Sequence, residues 1–219
     1  MKKIIRIIMI SSVAFILTAC SGKNSAVTET SLSEVNSENV STSSKLTSET
    51  VSEDMEAVRD VFAMDTYMTV KAYGPQGDAA VEEINRLDAL LSTGNEDSEV
   101  ARINANNGGH FSEDGAILME RSLELYKSTG GVFDVAIYPV RKAGGFTDGN
   151  YRVPDDETLK SLLQLADPSL IEYDSSTADV NFEEKGVQID FGGIAKGYTS
   201  SRIMDIYKEK GVTSGLVNL

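Results

Sequence analysis

The sequence predicts an α+β fold, a largely antiparallel sheet with packed helices, over residues 56–219, with a signal peptide at 1–20 and a disordered tether at 21–55 ahead of it. Three observations lead there. Several segments repeat apolar residues at helical spacing, and the segments flanking them alternate apolar with polar at a period of two. The start of the chain holds one short apolar run and afterwards only scattered single Val or Leu residues.

Lys2, Lys3 and Arg6 make a basic start, followed by an apolar run from Ile7 to Leu17 broken only by Ser11 and Ser12. A bilayer needs roughly 20 apolar residues, so this run reads as a signal peptide and not as a span. Leu17-Thr18-Ala19-Cys20 resembles the lipobox of bacterial lipoproteins, and Cys20 is the chain's single cysteine. Small residues before the cut suit the signal peptidase and the thiol accepts a diacylglycerol. The expectation is a lipid anchor at Cys20 on the extracytoplasmic face of the cell membrane. From Ser21 to about Glu53 the chain is mostly Ser, Thr, Glu and Asn with scattered single Val or Leu. Such a stretch buries too little apolar surface to offset backbone ordering, and would serve as a spacer that gives the domain reach.

Order is expected from about Met55. Val58 to Tyr73 reads as one extended segment, in which Met68, Val70 and Ala72 alternate with Thr69, Lys71 and Tyr73, and Gly74-Pro75 ends it. Asp78 is placed to cap a helix carrying Val81, Ile84, Leu87 and Leu91 at 3.6-residue spacing. Asp97 would cap a short helix with Val100 and Ile103, closed by Asn106-Asn107-Gly108-Gly109. Ile117, Leu118 and Leu125 mark a third helix, stopped by Gly130-Gly131. Val153-Pro154-Asp155 opens a fourth with Leu159, Leu162, Leu163 and Ala166, and Asp167-Pro168 closes it. Ala178–Phe182 and Val187–Phe191 flank Glu183-Glu184-Lys185-Gly186 as a β-hairpin. Gly192-Gly193 leads into a helix from Ile194 to Lys210, Gly211 ends it, and a strand begins at Val212.

Composition narrows the function. With a formal charge of −14, the chain repels nucleic-acid backbones and anionic headgroups, so neither is an expected partner. An anionic ligand would have to be held by local backbone donors or a metal ion. One Cys and one His argue against a disulfide framework, a zinc site or a Cys–His catalytic pair. His110, between Gly109 and Phe111, reads as a surface loop residue without a partner.

Three segments could carry chemistry. In Asp190-Phe191-Gly192-Gly193-Ile194-Ala195-Lys196-Gly197-Tyr198 a strand ends, two glycines permit close approach of a ligand, and a helix N-terminus with Lys196 could face phosphate. By itself such a turn is more often only a turn. Ala63-Met64-Asp65-Thr66-Tyr67-Met68 is equally consistent with plain strand packing. In Thr129-Gly130-Gly131-Val132-Phe133-Asp134 the glycines are explained by a helix C-cap, and Asp134 is a loop acid unless something positions it.

Together and in this order, these segments resemble the FAD:protein FMN transferase family, also called the ApbE family of thiamine-biosynthesis lipoproteins. The likeness runs from about Phe62 to Leu219. It includes Leu91-Ser92-Thr93 and Asp97-Ser98-Glu99-Val100-Ala101-Arg102-Ile103-Asn104. The resemblance implies an ApbE-like, T-fold-like domain that cleaves FAD at its pyrophosphate with Mg²⁺. FMN would pass to a Thr or Ser hydroxyl of an exported or membrane redox protein, releasing AMP. It implies that Met64, Val132, Phe133, Asp134, Asp190 and Lys196 bind FAD, and that the Gly193 carbonyl contributes to a Mg²⁺ site. Where many relatives place a flavin-stacking Tyr after the Ser-Thr of the Leu91 block, this chain has Gly94. The resemblance also places the other Mg²⁺ ligands and the general base in a segment beyond Leu219, so the expectation is a C-terminally truncated, inactive chain with no catalytic base of its own. The alternatives are an FAD pyrophosphatase that uses water as acceptor, and a flavin- or solute-binding lipoprotein without turnover.

Overall fold

A computed structural model describes residues 56–74 and 76–219. The leader, Cys20 and the tether lie outside them. The first element is a hairpin, β1 (Glu56–Ala63) and β2 (Thr66–Tyr73), paired so that Ala63 faces Thr66. This corrects the single extended segment expected from Val58 to Tyr73. The chain reverses at Met64-Asp65, both with positive φ (49° and 57°), which is the pattern of a two-residue type I′ turn. Met-Asp is not a turn dipeptide, so nothing in the local sequence announces it. The alternation itself holds: Met68, Val70 and Ala72 all face the core.

Helix α1 (Gln76–Leu91) starts two residues before the Asp78 cap expected for it, and Asp78 instead pairs with Arg59 at 2.6 Å. Helix α2 (Glu99–Asn106) is capped by Ser98, whose hydroxyl accepts from Ala101 N at 2.9 Å, and not by Asp97. Its C-cap Asn107 is left-handed, and the next residues form a short strand β3 (Gly108–His110). Helix α3 (Glu113–Thr129) ends on left-handed Gly130 as expected. A 3-10 turn (Val135–Ile137) and helix α4 (Tyr138–Ala143) follow, in a stretch with no periodic signal. Helix α5 (Asp156–Leu163) has the expected Asp155 cap.

The second sheet corrects the expected hairpin. β4 (Ile171–Asp174) pairs antiparallel with β5 (Asp179–Phe182), and β3 takes the other side of β5. Both edges of β5 are thereby occupied, so Val187–Phe191 cannot pair with it and runs into the core as an irregular segment. His110 sits opposite Asp179 on β3 and its Nδ1 lies 3.1 Å from that carboxylate, so it does have a partner. Helix α6 (Ala195–Glu209) and strand β6 (Gly215–Asn218) finish the chain, β6 pairing antiparallel with β2.

The fold is therefore α+β, with two three-stranded antiparallel sheets, β1-β2-β6 and β3-β5-β4. Two apolar cores go with them. One joins Met68, Val70 and Ala72 to Ile84 of α1 and Ile203 and Tyr207 of α6. The other gathers Leu87, Leu91, Ile103, Leu118, Phe182, Ile189 and Phe191. Full burial of such side chains contributes about 1.5–3 kcal/mol each, enough to set the two layers. Met64 packs against both cores. Among the described residues no helix is long and apolar enough to cross a membrane.

Candidate functional site

A cavity of about 650 Å³ opens beside Met64. Its wall consists of the hairpin tip, the end of α1 with residues 91–94, the loop after α3, part of α4, and the turn before α6. All the residues singled out for a ligand, Met64, Val132, Phe133, Asp134, Asp190, Gly193 and Lys196, line it. They are brought together from three separate parts of the chain.

The hairpin tip is fastened from both sides. Met64 N donates to Asp88 Oδ1 at 2.9 Å, and Met64 O accepts from Lys196 Nζ at 3.0 Å. Thr199 Oγ1 lies 3.8 Å from the Met64 sulfur. These contacts hold two non-glycine residues in the left-handed region, a conformation that costs roughly 1 kcal/mol or more per residue. Lys196 retains two N–H donors beyond the one given to Met64.

The α3 C-cap aims the second wall. Gly131 N donates to Tyr126 O at 2.9 Å and Phe133 N to Thr129 Oγ1 at 3.0 Å, which turns Val132-Phe133-Asp134 across the mouth. Val132 is 88% exposed there. The half-buried Phe133 ring lies against Gly193, where a Cβ would come within 2.9 Å of Phe133 Cε2. Asp134 accepts from Ala136 N at 2.8 Å and caps the 3-10 turn. Burial pushes its carboxyl above the usual range, with Asp167 adding to the effect and the Ala136 N–H opposing it.

Asp190 forms the buried floor, 7% exposed. Its Oδ1 accepts from Gly192 N at 2.7 Å, its Oδ2 from Arg141, and its own N–H donates to Val135 O at 2.9 Å. Burial draws the Arg141 proton affinity down, but the hydrogen bond and charge of Asp190 outweigh it and the net shift is upward. Beyond Gly192-Gly193, α6 begins without a side-chain cap, so its positive end is open toward the turn. Tyr138 OH donates to Thr93 O at 3.1 Å and steadies the opposite rim, where Gly94 offers no ring to a ligand.

Sequence reasoning missed Arg141, Asp88 and Phe146, which also line the cavity. Arg141 comes from α4, a helix with no periodicity to predict it, and meets Asp190 across 49 residues. Asp88 stands on the polar side of α1, where a carboxylate reads as ordinary surface.

A magnesium ion is not supported by the donors present. Among the described residues no three His, Cys, Asp or Glu side chains cluster to hold a metal. Of the cavity carboxylates, Asp88 accepts from Met64 N, Asp134 from Ala136 N, and Asp190 from Arg141 and Gly192 N, while the exposed Asp65 lies 3.8 Å from Arg141. Among the described residues the Gly193 carbonyl is left without a carboxylate set.

The ApbE family model matches residues 64–219. The chain is 29% identical over 139 residues to an FAD:protein FMN transferase of Klebsiella pneumoniae (strain 342), covering 62% of this chain and 44% of the relative. It is 28% identical over 153 residues to an FAD:protein FMN transferase of Treponema pallidum (strain Nichols), covering 64% and 42%. The chain thus spans less than half the length of these two curated relatives. The crystal structure of the ApbE protein from Thermotoga maritima superposes with a TM-score of 0.68 at 25% identity, over 74% of this chain and 57% of that one. The apo flavinyl transferase ApbE of Pseudomonas stutzeri superposes at 0.66 with 26% identity, over 75% and 58%. The flavin transferase ApbE of Vibrio cholerae, 18% identical with a TM-score of 0.68 over 75% and 57%, shares the fold.

Proposed function

The chain belongs to the ApbE family, and from that premise we propose that it is the FAD-binding part of an FAD:protein FMN transferase. The observation that carries the proposal is the convergence of Met64, Val132-Phe133-Asp134, Asp190 and Lys196 on one cavity. Their chemistry suits a dinucleotide. Phe133 and Met64 offer apolar surface to a ring system, and Asp134 offers a hydrogen-bonding carboxyl. The Gly192-Gly193 turn, the start of α6 and Lys196 offer donors and positive charge to linked phosphates.

The reaction is a phosphoryl transfer. The acceptor's Thr or Ser oxygen forms a new bond to the FMN phosphorus, and the bond from that phosphorus to the bridging oxygen breaks. AMP leaves with that oxygen, and the hydroxyl proton is released. The cavity residues bind and orient FAD, and none of them serves as the base. Magnesium, which the family resemblance implies, would neutralise charge on the diphosphate. The acceptor is proposed to be an exported or membrane redox protein. The lipid anchor at Cys20 would hold the enzyme at the extracytoplasmic face of the cell membrane.

The test is incubation of the full-length gene product with FAD, Mg²⁺ and an acceptor protein bearing the target Thr, following AMP release and the acceptor's mass. The transferase reading expects equimolar AMP and a mass increase of one FMN. AMP with free FMN and an unmodified acceptor would replace it with an FAD pyrophosphatase. FAD bound without AMP release would replace it with a flavin-binding lipoprotein.

A further inference from the structure

The cavity wall carries two cations, Lys196 and Arg141. We infer that Arg141 is the residue that grips the ligand's linked phosphates, and that Asp190 acts on the ligand through Arg141 as a positioning residue; the inference rests on the dinucleotide reading above.

Asp190 is 7% exposed and both its oxygens are engaged, Oδ1 by Gly192 N at 2.7 Å and Oδ2 by Arg141 Nη1. Both oxygens of this buried carboxylate are already paired, and turning it toward a ligand would break its charge-assisted bond to Arg141. Arg141 is different. Its side chain is 32% exposed on the cavity wall, and Nη2 reaches only Asp65, whose carboxylate is 88% exposed and 3.8 Å away. That distance exceeds a hydrogen bond, and so exposed a pair contributes little. A phosphate oxygen can displace it at small cost.

The guanidinium suits this task. It presents its donors in a rigid planar fork that matches phosphate oxygens, and the Asp190 bond fixes the plane of the fork. Gly192 leaves room for the carboxylate that holds the fork: a Cβ there would sit 3.0 Å from Asp190 Oδ1. Arg141 and Lys196 both reach the same hairpin tip, one 3.8 Å from Asp65 and the other bonded to Met64 O at 3.0 Å. Both charges thus line the cavity at this tip, and a diphosphate bound there would be met by both.

The experiment is titration of FAD, ADP and riboflavin into the full-length protein and into Arg141→Gln, Arg141→Lys and Asp190→Asn. Binding is followed by calorimetry and flavin fluorescence, and circular dichroism monitors folding. ADP has the linked phosphates without the flavin, and riboflavin has the flavin without phosphate. Arg141→Gln is expected to weaken FAD and ADP by about 10- to 100-fold, the loss of a charge-assisted contact, while riboflavin changes by less than about twofold. Arg141→Lys is expected to recover part of the loss, and Asp190→Asn to cost FAD less than Arg141→Gln does. Equal losses for riboflavin and FAD would overturn the inference, as would unchanged FAD affinity in Arg141→Gln or a larger loss in Asp190→Asn. If the unsubstituted protein binds no FAD, the dinucleotide reading itself fails and this inference with it.

Discussion

Asn104 of α2 and Ile189, 85 residues apart, are joined by two hydrogen bonds, Asn104 Nδ2 donating to Ile189 O at 2.9 Å and Ile189 N donating to Asn104 Oδ1 at 2.8 Å. One side-chain amide supplies both partners that a neighbouring strand would otherwise give. Ile189 is fully buried and its segment has no strand beside it, so these bonds keep its backbone satisfied and place the adjoining Asp190 at the cavity floor. Asn104→Ala is therefore expected to cost about 2–4 kcal/mol, from two buried groups left without partners, and to weaken FAD binding. Urea denaturation and a flavin titration check the two effects, and a stability loss below about 0.5 kcal/mol would contradict the assigned role.

The hairpin tip gives a prediction of opposite signs at adjacent positions. Asp65 has φ 57° and an exposed side chain. Asp65→Gly is expected to raise stability by about 0.5–1 kcal/mol, because the second position of this turn favours glycine. Met64 has φ 49° as well, but its side chain packs into both cores. Met64→Gly is expected to lower stability by about 1–3 kcal/mol. Thermal melts of the two variants test the contrast.

Gly193 separates fold from site. A methyl at this position meets only the edge of the Phe133 ring, a side chain at the cavity mouth that can give way. Gly193→Ala is expected to change stability by less than about 1 kcal/mol. Gly193→Val drives Phe133 further out and is expected to lower FAD affinity severalfold more than Gly193→Ala, with a similar melting temperature. Equal affinity in both would show that the Phe133–Gly193 contact does not shape the ligand site.

Acid stability follows from Asp114. Burial would raise its pKa, but hydrogen bonds from Arg86 and Tyr198, with the charges of Arg86 and Arg202, outweigh that and hold it below 3.8. The Tyr198 hydroxyl donates at 2.5 Å and Arg86 lies at 2.8 Å. A depressed carboxyl stabilises the fold fully above its ordinary value of 3.8, and the contribution disappears as pH falls through the lower folded value. Asp114→Asn is expected to melt lower at neutral pH and to lose part of the pH dependence below about pH 4. Melting curves from pH 2 to 7 compare the two proteins.

Asp134 carries the opposite sign. Its raised pKa means that it destabilises the fold once ionised, so stability is lost as pH rises from 3.8 through the folded value. An Asn still caps the Ala136 N–H. Asp134→Asn is expected to melt at the same temperature or higher at neutral pH while FAD affinity falls about tenfold, as the loss of one hydrogen bond to a charged group would give. A lower melting temperature would mean that the charge itself holds the turn.

Much of the fold follows from local pattern. Apolar residues at helical spacing, the Asp155 and Gly130 caps and the alternation through Met68, Val70 and Ala72 all concern residues within a turn or two of each other, where propensity and periodicity act directly. The class, α+β with antiparallel pairing, was legible for that reason. The candidate ligand residues came from the family resemblance of the ordered segments, and the fold gathers them along one cavity.

What remained hidden depends on contacts between distant residues. Met64-Asp65 turns the chain because Asp88 and Lys196 hold Met64, a residue that does not itself favour a left-handed turn position. Val187–Phe191 has strand-like sequence, but β3 and β4 already occupy both edges of β5, so a side chain from α2 completes its hydrogen bonds instead. Arg141 becomes a site residue only through Asp190. A sequence determines by itself what its neighbouring residues can settle; which carboxylate meets which cation was decided by the folded layers, because that pairing depends on a buried geometry no local segment contains.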